Sequence, residues 1–190
     1  MRTQQLYPSI VPAGYGSAFT HLLAKLPLVD GLEVVLCEAS TEIAGYVRTE
    51  DLEAASLSPK EAHRLALGNL IQAALQGELP MTLGQPDDEV TLFIVSGWLA
   101  ASALLLPALR ETAQRALGVQ GELCAMIPHR EMLVLFEGGD SQRRARVQNL
   151  VAETEKHGCR PLTNRVLRVL PTRADHWYAA GSPVEYLNAA

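Results

Sequence analysis

Residues 90–109 contain no Asp, Glu, Lys or Arg, and they constrain the fold more than any other stretch. Asp87, Asp88 and Glu89 stand before the run and Arg110 after it. About 20 apolar residues suffice to cross a bilayer as one helix, so the run is either a membrane span or the middle of a folded core. The Ser96-Gly97 pair divides it. Residues 90–95 are rich in β-branched side chains, which favour a strand, and residues 98–106 are rich in Ala and Leu, which favour a helix. Pro107 lacks an amide donor and either kinks a continuous helix or begins a new one. The stretch therefore reads as a central strand followed by a buried helix that breaks near Pro107. Ala108, Leu109, Thr112, Ala113 and Ala116 continue an inward stripe, and Arg110, Glu111, Gln114 and Arg115 face outward. Membrane attachment is the competing reading, because hydropathy rewards length and lack of charge alone.

Downstream, two apolar runs at 123–127 and 132–136 flank the polar tip Pro128, His129, Arg130, Glu131. So short a tip returns one strand antiparallel beside the other. Gly138 and Gly139 turn the chain, and Asp140 or Ser141 caps a helix whose inner face is Val147, Leu150, Val151 and Thr154. Gly158 ends it and Pro161 prevents its resumption. Arg143, Arg144 and Arg146 fan over its exposed side and read as a solvated surface.

Upstream, Gly31 precedes a strand over 32–37, and 43–47 is its hairpin partner across the loop Ala39, Ser40, Thr41, Glu42. Residues 51–57 form a connector. Ser58, Pro59 and Glu61 mark the clearest helix start in the chain, a capping box with proline at the first helical position. Ala62, Leu65, Ala66, Asn69, Leu70 and Ala73 follow at helical spacing, His63 lies beside that stripe, and Gly77 stops the helix. Residues 76–88 form a loop with a short edge strand near 81–83. The helix after Pro107 ends at Gly118, residues 166–170 form a last strand, and the tail beyond Pro171, with Trp177 and Tyr178, packs as a closing segment or frays.

A chain of 190 residues with 48% hydrophobic side chains has enough apolar surface for one core. The expectation is a single α+β domain over 1–190. It is a two-layer sandwich with a mainly antiparallel sheet and about three helices on one face, with 1–30 and 171–190 as peripheral segments. A net charge of −5 argues against wrapping nucleic acid, which needs a concentrated basic face. Cys37, Cys124 and Cys159 are far apart and odd in number, which suits a reducing cytosol. Residues 1–12 lack the apolar centre of a secretory signal.

Several of these features recur in one order: the strand pair ending at Tyr46 and Val47, the Ser58-Pro59-Glu61 helix leading to Asn69 and Leu70, and Ala101, Ser102, Leu104 and Leu105 before Pro107. Pro128, Arg130 and Glu131 follow between strands, and then Pro161, Leu162, Thr163. In that order, over about residues 32–163, the chain resembles the YtpQ-like family of bacterial proteins of unknown function. The resemblance implies a small bacterial α+β protein and transfers no catalytic residue.

No constellation of residues names a reaction. His157 and Cys159 are two apart with no second ligand pair nearby, and His21, His63, His129 and His176 are scattered, so neither a metal nor a cofactor is expected. Asp87, Asp88 and Glu89 lack the spacing of a calcium loop. Ser96 before Gly97 is half of a nucleophile elbow at most. Gly14, Tyr15, Gly16, Ser17 lacks the lysine of a phosphate loop and reads as a turn. The hairpin tip is where polar groups gather for a geometric reason. His129, Arg130 and Glu131 offer a proton carrier, a forked donor and a carboxylate, and they form the candidate binding site. The leading expectation is a cytosolic binding or accessory protein that meets a protein partner through a surface, with no nucleic acid and no membrane. A hydrolase built around the tip, and an immunity-type protein that neutralises a basic toxin, are the alternatives.

Overall fold

Gly31 adopts a left-handed backbone (φ 78°) that costs a residue without a side chain nothing, and on it turns the hairpin of β2 (Lys25–Val29) and β3 (Leu32–Ala39). The computed structural model describes residues 2–15, 23–39, 44–154, 162–171 and 182–187. By compactness the chain divides into Met1–Glu78 and Leu79–Ala190.

In the first unit β1 (Leu6–Pro12) pairs antiparallel with one edge of β3, and β2 and β4 (Ala44–Tyr46) share the other edge. The expected hairpin of 32–37 with 43–47 is thus present, and Ile43 and the loop residues 40–42 lie outside the described residues. β1 and β2 were not expected, because Pro8, Pro12 and Pro27 interrupt them. Proline is tolerated on such edge strands, where the missing amide faces away from the ladder. α1 (Thr49–Ala54) occupies part of the expected connector.

α2 (Pro59–Leu75) begins as the sequence requires. Glu61 N donates to Ser58 Oγ at 3.3 Å and Ser58 N donates to Glu61 Oε2 at 3.0 Å. The bonds from Ser58 hold the Glu61 carboxyl below the usual carboxylate range. Ala62, Ala66 and Leu70 are buried against β1 and β3, and Asn69 Nδ2 donates to the carbonyls of Thr3 and Leu6, each at 2.8 Å. His63 is part of this buried face.

The second unit is one antiparallel sheet of β5 (Met81–Asp87), β6 (Val90–Ser96), β7 (Leu123–His129), β8 (Met132–Glu137), β9 (Leu167–Val169) and β10 (Val184–Tyr186). Their order is β10-β9-β7-β8-β6-β5. The uncharged run resolves into β6, inside the sheet, then a 3-10 helix at Ala101–Leu105 and α3 (Leu109–Leu117), with Pro107 between the two. No helix among the described residues is long and apolar enough to cross a membrane. Gly118 stops α3 at φ 70°. The inward stripe of α3 differs from the expected one: Leu109 and Ala113 are buried, whereas Ala108, Thr112 and Ala116 are exposed. The buried stripe therefore faces the expected way, with Glu111 and Arg115 exposed, and is narrower than expected, reduced to the one-turn repeat of Leu109 and Ala113.

The 123–137 hairpin is as expected. α4 (Ser141–Thr154) follows with Asp140 before it, whose Oδ1 accepts from Gln142 N at 2.8 Å and whose carbonyl accepts from Arg144 N. Val147 and Val151 of α4 are buried with Leu92, Cys124, Val134 and Phe136 on one face of the sheet. Thr154, expected inward, is exposed and its hydroxyl donates to the Leu150 carbonyl at 2.8 Å. Gly158, Pro161, Trp177 and Tyr178 lie outside the described residues. Side chains alternate across a strand, so Phe93, Val95, Leu133 and Leu135 belong to the opposite face. They are buried too, with α3 against β6 and β8. The α+β class with antiparallel sheets is therefore what the chain adopts. Its strands form two sheets, and in the second unit helices lie on both faces instead of one.

Gly138 closes the hairpin where a side chain has no room. A Cβ there would stand 2.2 Å from Cys124 Sγ and 3.2 Å from Cys124 Cβ. Gly138→Ala is expected to lower stability by about 1–3 kcal/mol, the usual range for overpacking. Cys124→Ala is expected to recover part of that loss when combined with it. Denaturant unfolding of both variants checks this, and an undisturbed Gly138→Ala single variant contradicts it.

Candidate functional site

A groove opens beside α4, between the helix and the sheet. Leu92 and Ile94 of β6 and Met132 and Val134 of β8 present apolar side chains to the α4 face. Leu150 and Val151 form the facing wall, and residues 84–86 of the edge strand β5 close the rim. The cavity is about 330 Å³, and among the described residues no charged one lines it. Gly84 keeps it open, since a Cβ there would meet Ile94 Cδ1 at 2.9 Å and push that flexible tip into the space.

Three arginines hold α4 in position over the sheet. Arg143 pairs with Glu137. Arg144 lies 3.7 Å from Glu122 and donates to the Gly138 carbonyl. Arg146 bonds Asp87 at 2.9 Å and Glu89. The sequence presents these arginines as a solvated face. In the fold each meets a carboxylate: Arg143 that of nearby Glu137 at the end of β8, Arg144 and Arg146 those of segments remote in the chain. Their side chains are partly exposed, so each pair contributes little stability on its own, and their effect is mainly to orient the helix. Glu122 also accepts from Arg168 Nε at 2.7 Å, and Arg168 bonds Glu185 at 2.8 Å, which carries the network to β10.

The expected site residues occupy the hairpin tip but do not line the groove. Glu131 N donates to His129 Nδ1 at 3.2 Å, which leaves the proton of a neutral imidazole on Nε2. The Arg130 carbonyl accepts from Ala101 N and the Glu131 carbonyl from Gly97 N, both at 3.1 Å. The Pro128 carbonyl accepts from Leu162 N at 2.9 Å. The tip's backbone thus anchors the segment after β6 and the segment before β9. Met132, next to Glu131, is the point where the hairpin reaches the groove. Gly84, Ile94, Met132 and Leu150 escape the sequence because the cavity depends on which strands become neighbours. Gly84 and Pro86, interrupting an apolar alternation, are the only local signal.

The reactive side chains elsewhere are quiet. Burial pushes the Cys124 thiol up to about 12, Glu122 adds to the shift, and Arg144 and Arg168 oppose it, so almost no thiolate forms at neutral pH. Cys37 Sγ donates to the Tyr7 carbonyl at 3.3 Å. Among the described residues no three of His, Cys, Asp and Glu gather as a metal site. His21, His157, Cys159 and His176 lie outside them. No family model, curated protein or solved structure matches this chain.

His63 is the buried group whose shift falls within the mildly acidic range. It is 1% exposed, and burial pushes it down to about 4, with a hydrogen bond to the Ala24 backbone pulling the other way. Its folded pKa lies below its unfolded value of 6.5. The unfolded chain therefore binds the extra proton between those values, and stability is complete above pH 6.5 and falls as pH drops through the window. The stability lost through this residue approaches about 3 kcal/mol below pH 4, at 1.36 kcal/mol per unit. In His63→Leu that component is absent, so the wild-type minus variant difference should shrink by this amount from about pH 7.5 to about pH 4. A difference that does not change with pH contradicts the assignment.

Proposed function

We propose that the protein is a non-catalytic binding protein, held reduced in the cytosol, whose second unit takes up a small apolar molecule in the groove between α4 and β5-β6-β8. The supporting observation is the groove itself: about 330 Å³, at the small end of ligand pockets of roughly 300–1,000 Å³, with an apolar lining. That volume suits a single ring system or short alkyl chain and is too small for the face of a partner helix. Among the described residues the lining has no Cys, His, Asp, Glu or Lys, and the hydroxyl of Thr154 is engaged with the Leu150 carbonyl, which supports binding over turnover. The tip residues His129, Arg130 and Glu131 support the architecture through their backbone bonds. This favours a structural role for them over the hydrolase reading. The bacterial YtpQ-like affiliation is likewise proposed, on the order of motifs given above.

Indole is a suitable probe for backbone-amide NMR titration. Perturbations should centre on Leu92, Ile94, Met132 and Val134, with a Kd of about 1 mM or tighter for so few heavy atoms. Leu150→Trp, which fills the groove from its wall, should abolish them, and the combined His129→Ala, Arg130→Ala, Glu131→Ala variant should leave them intact. Perturbations centred on residues 128–131, or none at all, would sink the proposal.

A further inference from the structure

β5 is the outer strand of its sheet, and its backbone direction is settled by its neighbour. Ser96 N donates to the Pro80 carbonyl, and the ladder continues with Thr82 opposite Ile94 and Gly84 opposite Leu92. Hydrogen-bonded pairs alternate with non-bonded ones along an antiparallel ladder. Met81 and Leu83 therefore turn their amides and carbonyls away from β6, toward the open edge. Their side chains lie on the face shared with Phe93 and Val95, and Leu83 is 56% exposed there. Residues 79–86 carry no charge.

Natural sheets guard such an edge with lysine, with an inward charge or with a bulge. Here Pro86 and the register shift after Gly84 protect only the far end. The stretch 80–84 is left as an apolar, uncharged edge whose outward donors and acceptors have no strand partner among the described residues. It is also self-complementary. When two copies meet antiparallel about a two-fold axis at Thr82, Met81 of each chain faces Leu83 of the other, with both in bonding orientation. That register makes four main-chain hydrogen bonds by symmetry, pairs Thr82 with its counterpart, and covers Leu83 with the second copy's Met81. No like charges oppose one another across it, and such pairs are the unit of sheet stability.

We propose that residues 80–84 of β5 are a homodimerisation edge, joining the sheets of two copies antiparallel about Thr82. The edge shares Gly84 with the groove rim, but the Met81 and Leu83 side chains lie on the opposite face of the sheet, so Leu83→Lys tests dimerisation without altering the groove lining.

Sedimentation velocity of the full chain over a dilution series should show a concentration-dependent rise from one chain mass to two. Leu83→Lys puts a charge at an exposed position, and should leave the far-ultraviolet spectrum and melting temperature unchanged while abolishing the dimer. The register has its own test. At the two-fold axis the Thr82 positions form a non-bonded pair with Cα atoms about 4.5 Å apart, inside the disulfide range of about 4.4–6.8 Å. With Cys159 replaced by Ser, Thr82→Cys should cross-link under mild oxidation and Gln85→Cys should not. A chain that stays monomeric throughout overturns the proposal. So does a dimer that survives Leu83→Lys, or one in which Gln85→Cys cross-links and Thr82→Cys does not.

Discussion

Burial of both faces of the β6-β8-β7 sheet is the constraint on which the second unit depends. Val95, Leu133 and Leu135 are sealed on one side and Cys124, Val134 and Phe136 on the other. A half-solvated sheet would need alternating polar residues, and these strands have almost none. The uncharged run supplies β6 and the segment that follows it. Together they convert what hydropathy alone would assign to lipid into internal surface. At roughly 25 cal/mol per Å² of apolar area, this burial is the main favourable contribution to the fold.

Polar groups then set the geometry that burial leaves loose. Backbone bonds from Gly97 and Ala101 to the tip carbonyls of Glu131 and Arg130 pin the residues after β6 to the end of the hairpin. Arg143, Arg144 and Arg146 fix α4 against carboxylates from the end of β8, the residue before β7 and the β5-β6 hairpin. With α4 held there, Leu150, Val151 and Thr154 stand as the wall of the groove over β6 and β8. Gly138 and Cys124 show how tightly the other end of the helix is seated.

Elements fixed by neighbouring residues were legible in the sequence. The Ser58 cap, the Gly118 stop, the 123–137 hairpin and the division of the uncharged run at Ser96-Gly97 all depend on short-range chemistry. β1 and β2 were not legible within 1–30, because Pro8, Pro12 and Pro27 are compatible with strands only at the edges that β3 creates between them. The stripe of α3 was legible in direction through Leu109 and Ala113, and its width was not, since how much of a short helix is covered depends on its neighbours. The groove was invisible for a related reason: Gly84, Ile94, Met132 and Leu150 are far apart in the chain, and only strand order assembles them. His129, Arg130 and Glu131 attracted attention as polar residues on a turn, and their backbone atoms are what the fold uses.

Carbon secondary chemical shifts across residues 90–117, in chain prepared without detergent, test the central claim most directly. The account predicts extended values over 90–96, helical values at 101–105 and again at 109–117, and an interruption at Leu106 and Pro107. Unbroken helical shifts from Val90 to Leu106, or a chain that dissolves only with lipid or detergent, would contradict it.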